Sequence, residues 1–215
     1  MKVVAINGSP HKEGNTYHAL KIIGSKLEEN GIEFEIIHVG HKAVRGCMGC
    51  GTCRKMQNER CVYNTDPVNE WIQIMKDADG IIISSPVYYS GVAGTMKSFL
   101  DRVFYVSGSN GNFFRHKVGA TLVAVRRTGG SHTLDGLNHY LTYCEMQLAT
   151  SNYWSVVHGL TPGEARYDGE GVNTLEVLGD NMAWQLKMRE ATRSTLPEPQ
   201  VVQKVATHFV RQDLK

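Results

Sequence analysis

Strand-like and helix-like segments alternate along almost the whole chain, and this alternation most restricts the fold. Short apolar runs, such as GIIIS at residues 80–84, are typical of strands buried on both faces. Between these runs lie segments whose apolar residues recur at helical spacing. Strands that alternate with helices predict a parallel sheet with right-handed crossovers, covered by helices on both faces.

The pattern predicts an α/β domain with five strands in about 200 residues. The strands are expected at residues 2–7, 32–39, 80–84, 118–125 and 151–157. The helices are expected at residues 15–30, 66–78, 131–145 and 173–193, with another after Gly91 that carries Met96, Phe99, Leu100 and Val103 on one stripe. We expect one domain over residues 1–195, then a tail over 196–215 with a short amphipathic helix at 201–211.

Five strands fit a flavodoxin-like, doubly wound sheet of order 2-1-3-4-5 as well as a truncated dinucleotide-binding fold. No G-x-G-x-x-G follows the first strand, and no G-x-x-x-x-G-K-[ST] occurs in the sequence. Neither a Rossmann dinucleotide site nor a P-loop is therefore supported.

The charge balance argues against two classes of partner. The 23 Lys and Arg residues face 21 Asp and Glu residues, which leaves a net charge of +2. Such scattered charge predicts no nucleic-acid or membrane partner. The apolar run at residues 3–6 is too short for a signal peptide, and no run approaches the ~20 residues of a membrane helix. We expect a soluble, cytoplasmic protein.

The loop after the first strand has the composition of an anion site. Small hydroxyl and amide residues fill residues 7–16, which end at a predicted helix N-terminus. Free backbone N–H groups and the helix dipole favour a phosphate there, and Ser9, Asn15 and Thr16 could add donors. An ordinary turn with a helix cap is the alternative, because these residue types are favoured there anyway.

Two loops together carry a family resemblance. The GSP-x3-GNT pattern at residues 8–16 and SSPVYYSG at 84–91 resemble the flavin loops of the NADPH-dependent FMN reductase superfamily, which has a flavodoxin-like fold. This resemblance implies that the FMN phosphate is held by Ser9, His11, Asn15 and Thr16. It implies that the isoalloxazine and ribityl chain are lined by Pro86, Val87, Tyr88, Tyr89, Ser90 and Gly91.

The end of the predicted fourth strand offers further candidates. Paired glycines at residues 129–130 let a backbone approach a ligand closely, so Thr128 and Gly129 are candidate flavin contacts. Arg127 is expected to be a solvated surface side chain.

Four cysteines lie within fifteen positions as Cys47-x2-Cys50-x2-Cys53-x7-Cys61, inside a cysteine-rich loop at residues 46–62. Three thiolates at this spacing can wrap one face of a [4Fe–4S] cluster and a fourth can close it. Structural zinc usually uses two distant C-x2-C pairs, so it fits less well, whereas a redox thiol pair needs only two cysteines. Cys144 is expected to be a buried, inert residue.

With the flavin loops, the cysteine motif resembles the iron–sulfur flavoprotein family over about residues 1–180. The resemblance implies a homodimer or homotetramer with FMN near a subunit interface. We predict an oxidoreductase that couples FMN to a [4Fe–4S] cluster, with NAD(P)H or a ferredoxin-like protein as donor and a small molecule or protein as acceptor. The alternatives are a cluster-free NAD(P)H-dependent FMN, quinone or azo reductase and a non-catalytic electron carrier. No catalytic acid–base or Ser-His-Asp constellation is present.

Overall fold

The computed structural model describes residues 1–207, and within them the strands form one sheet in which parallel pairing dominates. The strands are β1 (Lys2–Asn7), β2 (Glu33–His38), β3 (Gly80–Tyr88), β4 (Gly91–Val92), β5 (Val118–Val125), β6 (Gln147–Leu148) and β7 (Val156–His158). The helices are α1 (Asn15–Glu29), α2 (Thr52–Met56), α3 (Val68–Asp77), α4 (Gly94–Ser109), α5 (Gly130–Tyr143) and α6 (Gly169–Thr192), with a 3₁₀ turn at Glu164–Tyr167.

The predicted flavodoxin-like order is confirmed in its main strands. The sheet runs β2-β1-β3-β5-β6, while β7 also pairs with β5 and the short β4 pairs antiparallel with β3. With β4 set aside as a hairpin strand, β6 and β7 together take the place of the predicted fifth strand. The sheet is therefore the order 2-1-3-4-5 with its last strand divided in two.

Two predicted strand boundaries were wrong. Only the last residues of the predicted strand at 151–157 form a strand, which is β7. Ser155 lies in the gap between β6 and β7, and its hydroxyl donates to the Thr121 carbonyl at 2.5 Å. The predicted strand at 80–84 continues to Tyr88, since β5 pairs with it as far as Pro86 and β4 then forms a hairpin with it. In both cases the hydrogen-bonded neighbours of the strand, and not only its apolar residues, determine where the strand begins or ends.

Two cores cover the two faces of the sheet. On β3, Ile81 and Ile83 join a core with α3, α4 and α5, while Ile82 joins the other core with α1 and α6. All three isoleucines are fully buried, and each contributes about 1.5–3 kcal/mol relative to exposure. Burial on both faces, predicted from the sequence, is confirmed.

The tail differs from the prediction. Residues 201–207 form no helix, and the rest of the predicted helix at 201–211 lies outside the described residues. Among the helices of residues 1–207, none is long and apolar enough to cross a membrane.

Candidate functional site

Four loops meet at the carboxyl edge of the sheet, where β1, β3, β5 and β7 end. They enclose a cavity of about 280 Å³. Ligands of open α/β sheets bind at this edge, where the strand order reverses between β1 and β3. Of the residues predicted to hold FMN, the cavity is lined by Ser9, His11, Asn15, Thr16, Pro86, Val87 and Tyr88.

Local hydrogen bonds give the loop after β1 its shape. The Ser9 N–H donates to Asn7 Oδ1 at 3.0 Å, and the His11 N–H donates to Ser9 Oγ at 3.2 Å. His38 Nε2 lies 2.7 Å from the Ser9 carbonyl oxygen, which ties the loop to the end of β2. These bonds, made within the protein, hold the loop against the ends of β1 and β2.

The start of α1 fits an anion such as a phosphate group. Its N-cap residue, Gly14, supplies no side-chain cap, and the first turn contains no acidic residue. Thr16 is 1% exposed, lines the cavity, and its Oγ1 has no hydrogen-bond partner among the described residues. Buried hydroxyls almost always find a partner, so this one is a candidate donor to a ligand oxygen. A phosphate would also accept from the free N–H groups of the first turn.

Asn15 has a second task that the sequence did not indicate. Its Oδ1 accepts a hydrogen bond from the Ala165 N–H at 3.1 Å, across 150 residues of sequence. This bond holds the 3₁₀ turn against the start of α1. Asn15 therefore helps to build the wall of the cavity as well as lining it.

The loop after β3 is a tight hairpin. Tyr88 pairs with Gly91, so Tyr89 and Ser90 form a two-residue turn, and their φ angles are +50° and +59°. Positive φ at both positions is the type I′ geometry, which favours Asn-Gly over Tyr and Ser. Tyr89 is fully exposed. Strained turns of this kind cluster at ligand sites, which agrees with the predicted role of this loop.

Replacing Tyr89-Ser90 with Asn-Gly is expected to raise the free energy of unfolding of the flavin-free protein by about 1 kcal/mol or more, because the left-handed strain is removed. Urea unfolding measures the change. Asn-Ala at the same two positions is the control, since Ala keeps a Cβ in the left-handed region and gains less. An equal gain from both variants would show that the turn is not strained.

Five of the predicted flavin contacts do not line this 280 Å³ cavity: Tyr89, Ser90 and Gly91 of the β3–β4 hairpin, and Thr128 and Gly129 after β5. Thr128 and Gly129 line a neighbouring cavity of about 460 Å³, with Tyr153 and Trp154 on its wall. Gly129 packs against the β3–β4 hairpin, and a Cβ there would lie 2.8 Å from the Ser90 Cα. Its φ of +87° also favours glycine. This glycine is needed for contact between two loops, and its contact with a flavin stays a prediction.

Several cavity residues were missed. Arg126 lines the 280 Å³ cavity, as do Gly159, Leu160 and Pro162 from the loop after β7. The available signal was the Gly-Leu-Thr-Pro-Gly turn at residues 159–163, which follows the last strand at the edge where ligands bind.

The four clustered cysteines line one small cavity beside α4. Cys53 is buried, Cys61 is half-buried, and Cys47 and Cys50 are exposed. Gly49 and Gly51 have φ angles of +62° and +68°, a region of backbone conformation that favours glycine.

Neighbouring residues hold the cysteine loop. The Cys61 N–H donates to Asn69 Oδ1 at 2.8 Å, and Asn69 Nδ2 donates to the Cys61 carbonyl at 2.9 Å. Hydrogen bonds from the Thr52 side chain and N–H lower the pKa of the Cys50 thiol below its ordinary value. A lowered pKa favours the thiolate, which is the form that binds metals.

No group of three or more His, Cys, Asp or Glu side chains in residues 1–207 is arranged to hold a single metal ion. The four thiols surround a shared cavity instead of converging on one point. A multi-iron cluster, in which each cysteine takes its own iron, fits this arrangement better than a zinc ion does.

The fold and the carboxyl-edge cavity define a flavodoxin-like protein. The fold is similar to that of a flavodoxin from the domain Archaea, with a TM-score of 0.57 and 16% identity over 87% of this chain and 99% of that chain. An NADH:FMN oxidoreductase is also similar, with a TM-score of 0.62 and 19% identity over 89% and 93% of the two chains.

The family described as NADPH-dependent FMN reductase matches residues 1–161. The chain is 34% identical to an iron-sulfur flavoprotein of Methanocaldococcus jannaschii, over 87% of this chain and 98% of that one. It is 31% identical to an iron-sulfur flavoprotein of Methanosarcina thermophila, over 90% and 99%. The chain belongs to the iron–sulfur flavoprotein family within the NADPH-dependent FMN reductases, and it is an FMN-dependent oxidoreductase.

Proposed function

We propose that this protein transfers electrons between FMN and a [4Fe–4S] cluster carried by the same chain. The unpartnered hydroxyl of Thr16 supports the flavin site, and the single cavity shared by four cysteines supports the cluster. The cluster ligands in this proposal are Cys47, Cys50, Cys53 and Cys61. The flavin ligands in this proposal are Ser9, His11, Asn15, Thr16, Pro86, Val87, Tyr88, Tyr89, Ser90, Gly91, Thr128 and Gly129, with Arg126 added from the cavity wall.

In the phosphate site, each residue has a distinct task. Thr16 Oγ1 donates to a phosphate oxygen, and the free N–H groups at the start of α1 do the same. Ser9 makes two kinds of hydrogen bond: its Oγ accepts from the His11 N–H, and its hydroxyl proton remains available for the ligand. Arg126, on the opposite wall, supplies positive charge. These groups bind and orient the cofactor and do not take part in bond breaking.

Flavin accepts a pair of electrons as hydride and releases them singly, whereas an iron–sulfur cluster carries one electron at a time. The chain's part is to position both groups and to exclude other reactions. We propose NAD(P)H or a ferredoxin-like protein as donor, a small molecule or protein as acceptor, and a homodimer or homotetramer as the assembly.

A cluster-free NAD(P)H-dependent reductase is the second candidate. One observation favours it: the chain is 29% identical to an NADPH azoreductase of a Bacillus species over 143 residues, which is 64% of this chain and 67% of that one. The iron content of anaerobically purified protein separates the two candidates. Turnover with NAD(P)H and an artificial acceptor separates both from a non-catalytic carrier.

Cys61→Ser is expected to lose iron and sulfide while keeping FMN. Cys61 is held by Asn69 of α3, and the flavin cavity is built from other loops, so the flavin should not be disturbed. Iron, acid-labile sulfide and flavin are measured on protein purified without oxygen. Electron transfer to a one-electron protein acceptor should fall sharply, while reduction of FMN by a two-electron donor survives.

Cys144→Ala is the matched control. Cys144 is buried outside the cysteine cavity, and burial raises the pKa of its thiol to about 12, so it is inert. This variant should keep the iron content of the wild type. Wild-type protein without iron would contradict the cluster and leave a flavin reductase. Retention of all iron in Cys61→Ser would remove Cys61 from the ligand set.

A further inference from the structure

A buried arginine lies against the cysteine cavity. Arg102, in the middle of α4, is 2% exposed and lines the same cavity as the four cysteines. Burying a guanidinium is costly unless its charge is paired and its N–H groups are hydrogen-bonded. We therefore ask which groups pair with the charge of Arg102 and which accept hydrogen bonds from its N–H groups.

Both terminal nitrogens of the guanidinium have partners. Its Nη1 pairs with Asp66 Oδ2 at 2.5 Å and donates to the Arg45 carbonyl at 3.3 Å, and Nη2 donates to the Tyr63 carbonyl at 2.8 Å. The Tyr63 ring centroid lies 5.2 Å from the guanidinium carbon. These contacts fix the plane of the group and hold it beside the loop that carries Cys61.

The third nitrogen of the guanidinium, Nε, is buried and has no hydrogen-bond partner of nitrogen or oxygen among the described residues. Arg102 and Cys61 line the same cavity, and Arg102 Nη2 donates to the carbonyl of Tyr63, two residues along the chain from Cys61. A buried cation with a free N–H next to a thiol suits a negatively charged sulfur.

We propose that Arg102 is a positioning residue for the cluster, holding the Cys61 sulfur and stabilising the more negatively charged, reduced state. The inference rests on the proposed cluster. Reduction adds one electron to the cluster, so a nearby fixed cation favours reduction and raises the midpoint potential. Hydrogen bonding to a ligand sulfur acts in the same direction. Asp66 offsets part of this effect because its carboxylate is paired with the same cation.

Three variants test the sign of the effect. Asp66→Asn removes the negative charge and should make the cluster easier to reduce. The Asn side-chain oxygen can still accept from the Val68 N–H, as Asp66 Oδ1 does at 3.3 Å. The double variant Arg102→Gln with Asp66→Asn leaves no unpaired charge and, relative to Asp66→Asn, should be harder to reduce. We expect at least a tenfold difference in the reduction equilibrium constant, about 59 mV for one electron. Arg102→Lys keeps the positive charge, and its cluster midpoint potential should lie between those of the other two variants.

The measurement is an anaerobic redox titration of the holoprotein, followed by the spectrum of the reduced cluster, with the flavin potential of the same sample as an internal reference. A purely structural role cannot raise the cluster potential in Asp66→Asn and lower it again in the double variant while the flavin potential stays constant. If the double variant fails to fold, the upward shift in Asp66→Asn and the position of Arg102→Lys still decide the question.

Two negative results have different meanings. Absence of iron from the wild type would overturn the proposed cluster itself. A full complement of iron in folded variants, together with an unchanged cluster potential, would overturn the role of Arg102 and leave the proposed function intact.

Discussion

Thr16→Val is expected to weaken FMN binding by about tenfold or more while the flavin-free protein keeps or gains stability. The hydroxyl is buried at the start of α1 and has no partner among the described residues, so the fold loses nothing when a methyl group replaces it. Its donor to a phosphate oxygen is lost, and a hydrogen bond to a charged group is worth about 1.5–3 kcal/mol. Flavin titration and thermal unfolding of the flavin-free protein measure the two effects.

Thr174→Val is the matched control. Thr174 is also buried near the start of a helix, but its Oγ1 donates to the Glu170 carbonyl at 2.9 Å within α6. This variant should lose about 1 kcal/mol of stability, because a satisfied hydrogen bond is removed, and keep its affinity for FMN. The opposite changes in the two variants identify the ligand contact. Unchanged flavin affinity in Thr16→Val would remove the phosphate assignment.

Gly40→Ala is expected to displace the phosphate loop and to cost both stability and flavin affinity. Gly40 follows β2, and a Cβ at this position would lie 2.2 Å from the Ser9 carbonyl oxygen and 2.4 Å from that of Gly8. Both neighbours are backbone atoms, so the collision is relieved only by moving the loop. Overpacking of this kind costs about 1–3 kcal/mol. Urea unfolding and flavin titration of the same preparation measure the loss.

Gly108→Ala separates this collision from a general effect of replacing glycine. Gly108 lies inside α4, and a Cβ there meets no atom within 4 Å. Alanine should stabilise the helix by about 0.5–1 kcal/mol and leave FMN binding unchanged. If Gly40→Ala bound FMN as tightly as the wild type, the contact between the two loops would not shape the site.

The part of the site that could be predicted is the part that lies within one segment. The loop from Gly8 to Thr16 and the cysteine spacing are local patterns, and the structure places Ser9 and Thr16 at one cavity and Cys47 to Cys61 at another. The roles of these residues as cofactor ligands remain predictions. Thr128 and Gly129 were predicted as flavin contacts from the paired glycines after a strand; the structure places them at a neighbouring cavity, and their contact with the flavin stays a prediction.

Contacts between distant segments could not be predicted. The bond from Ala165 to Asn15 spans 150 residues, and Arg102 meets Asp66 across 36 residues in a helix whose sequence indicates only an apolar stripe. Each contact depends on which strands are neighbours and in what register they pair. A single sequence does not show which distant residues are in contact, because hydrophobic periodicity describes one helix or strand and not the element packed against it.

By itself, the sequence determined the alternation of strands and helices, the burial of β3 on both faces, and the two motifs, because side-chain periodicity and loop chemistry are local properties. The tertiary structure alone decided that β6 and β7 share the edge of β5, that Arg126 and the loop after β7 complete one cavity, and that Arg102 and Cys61 line another. Strand order brings these residues together only after the chain has folded, since they are far apart along it.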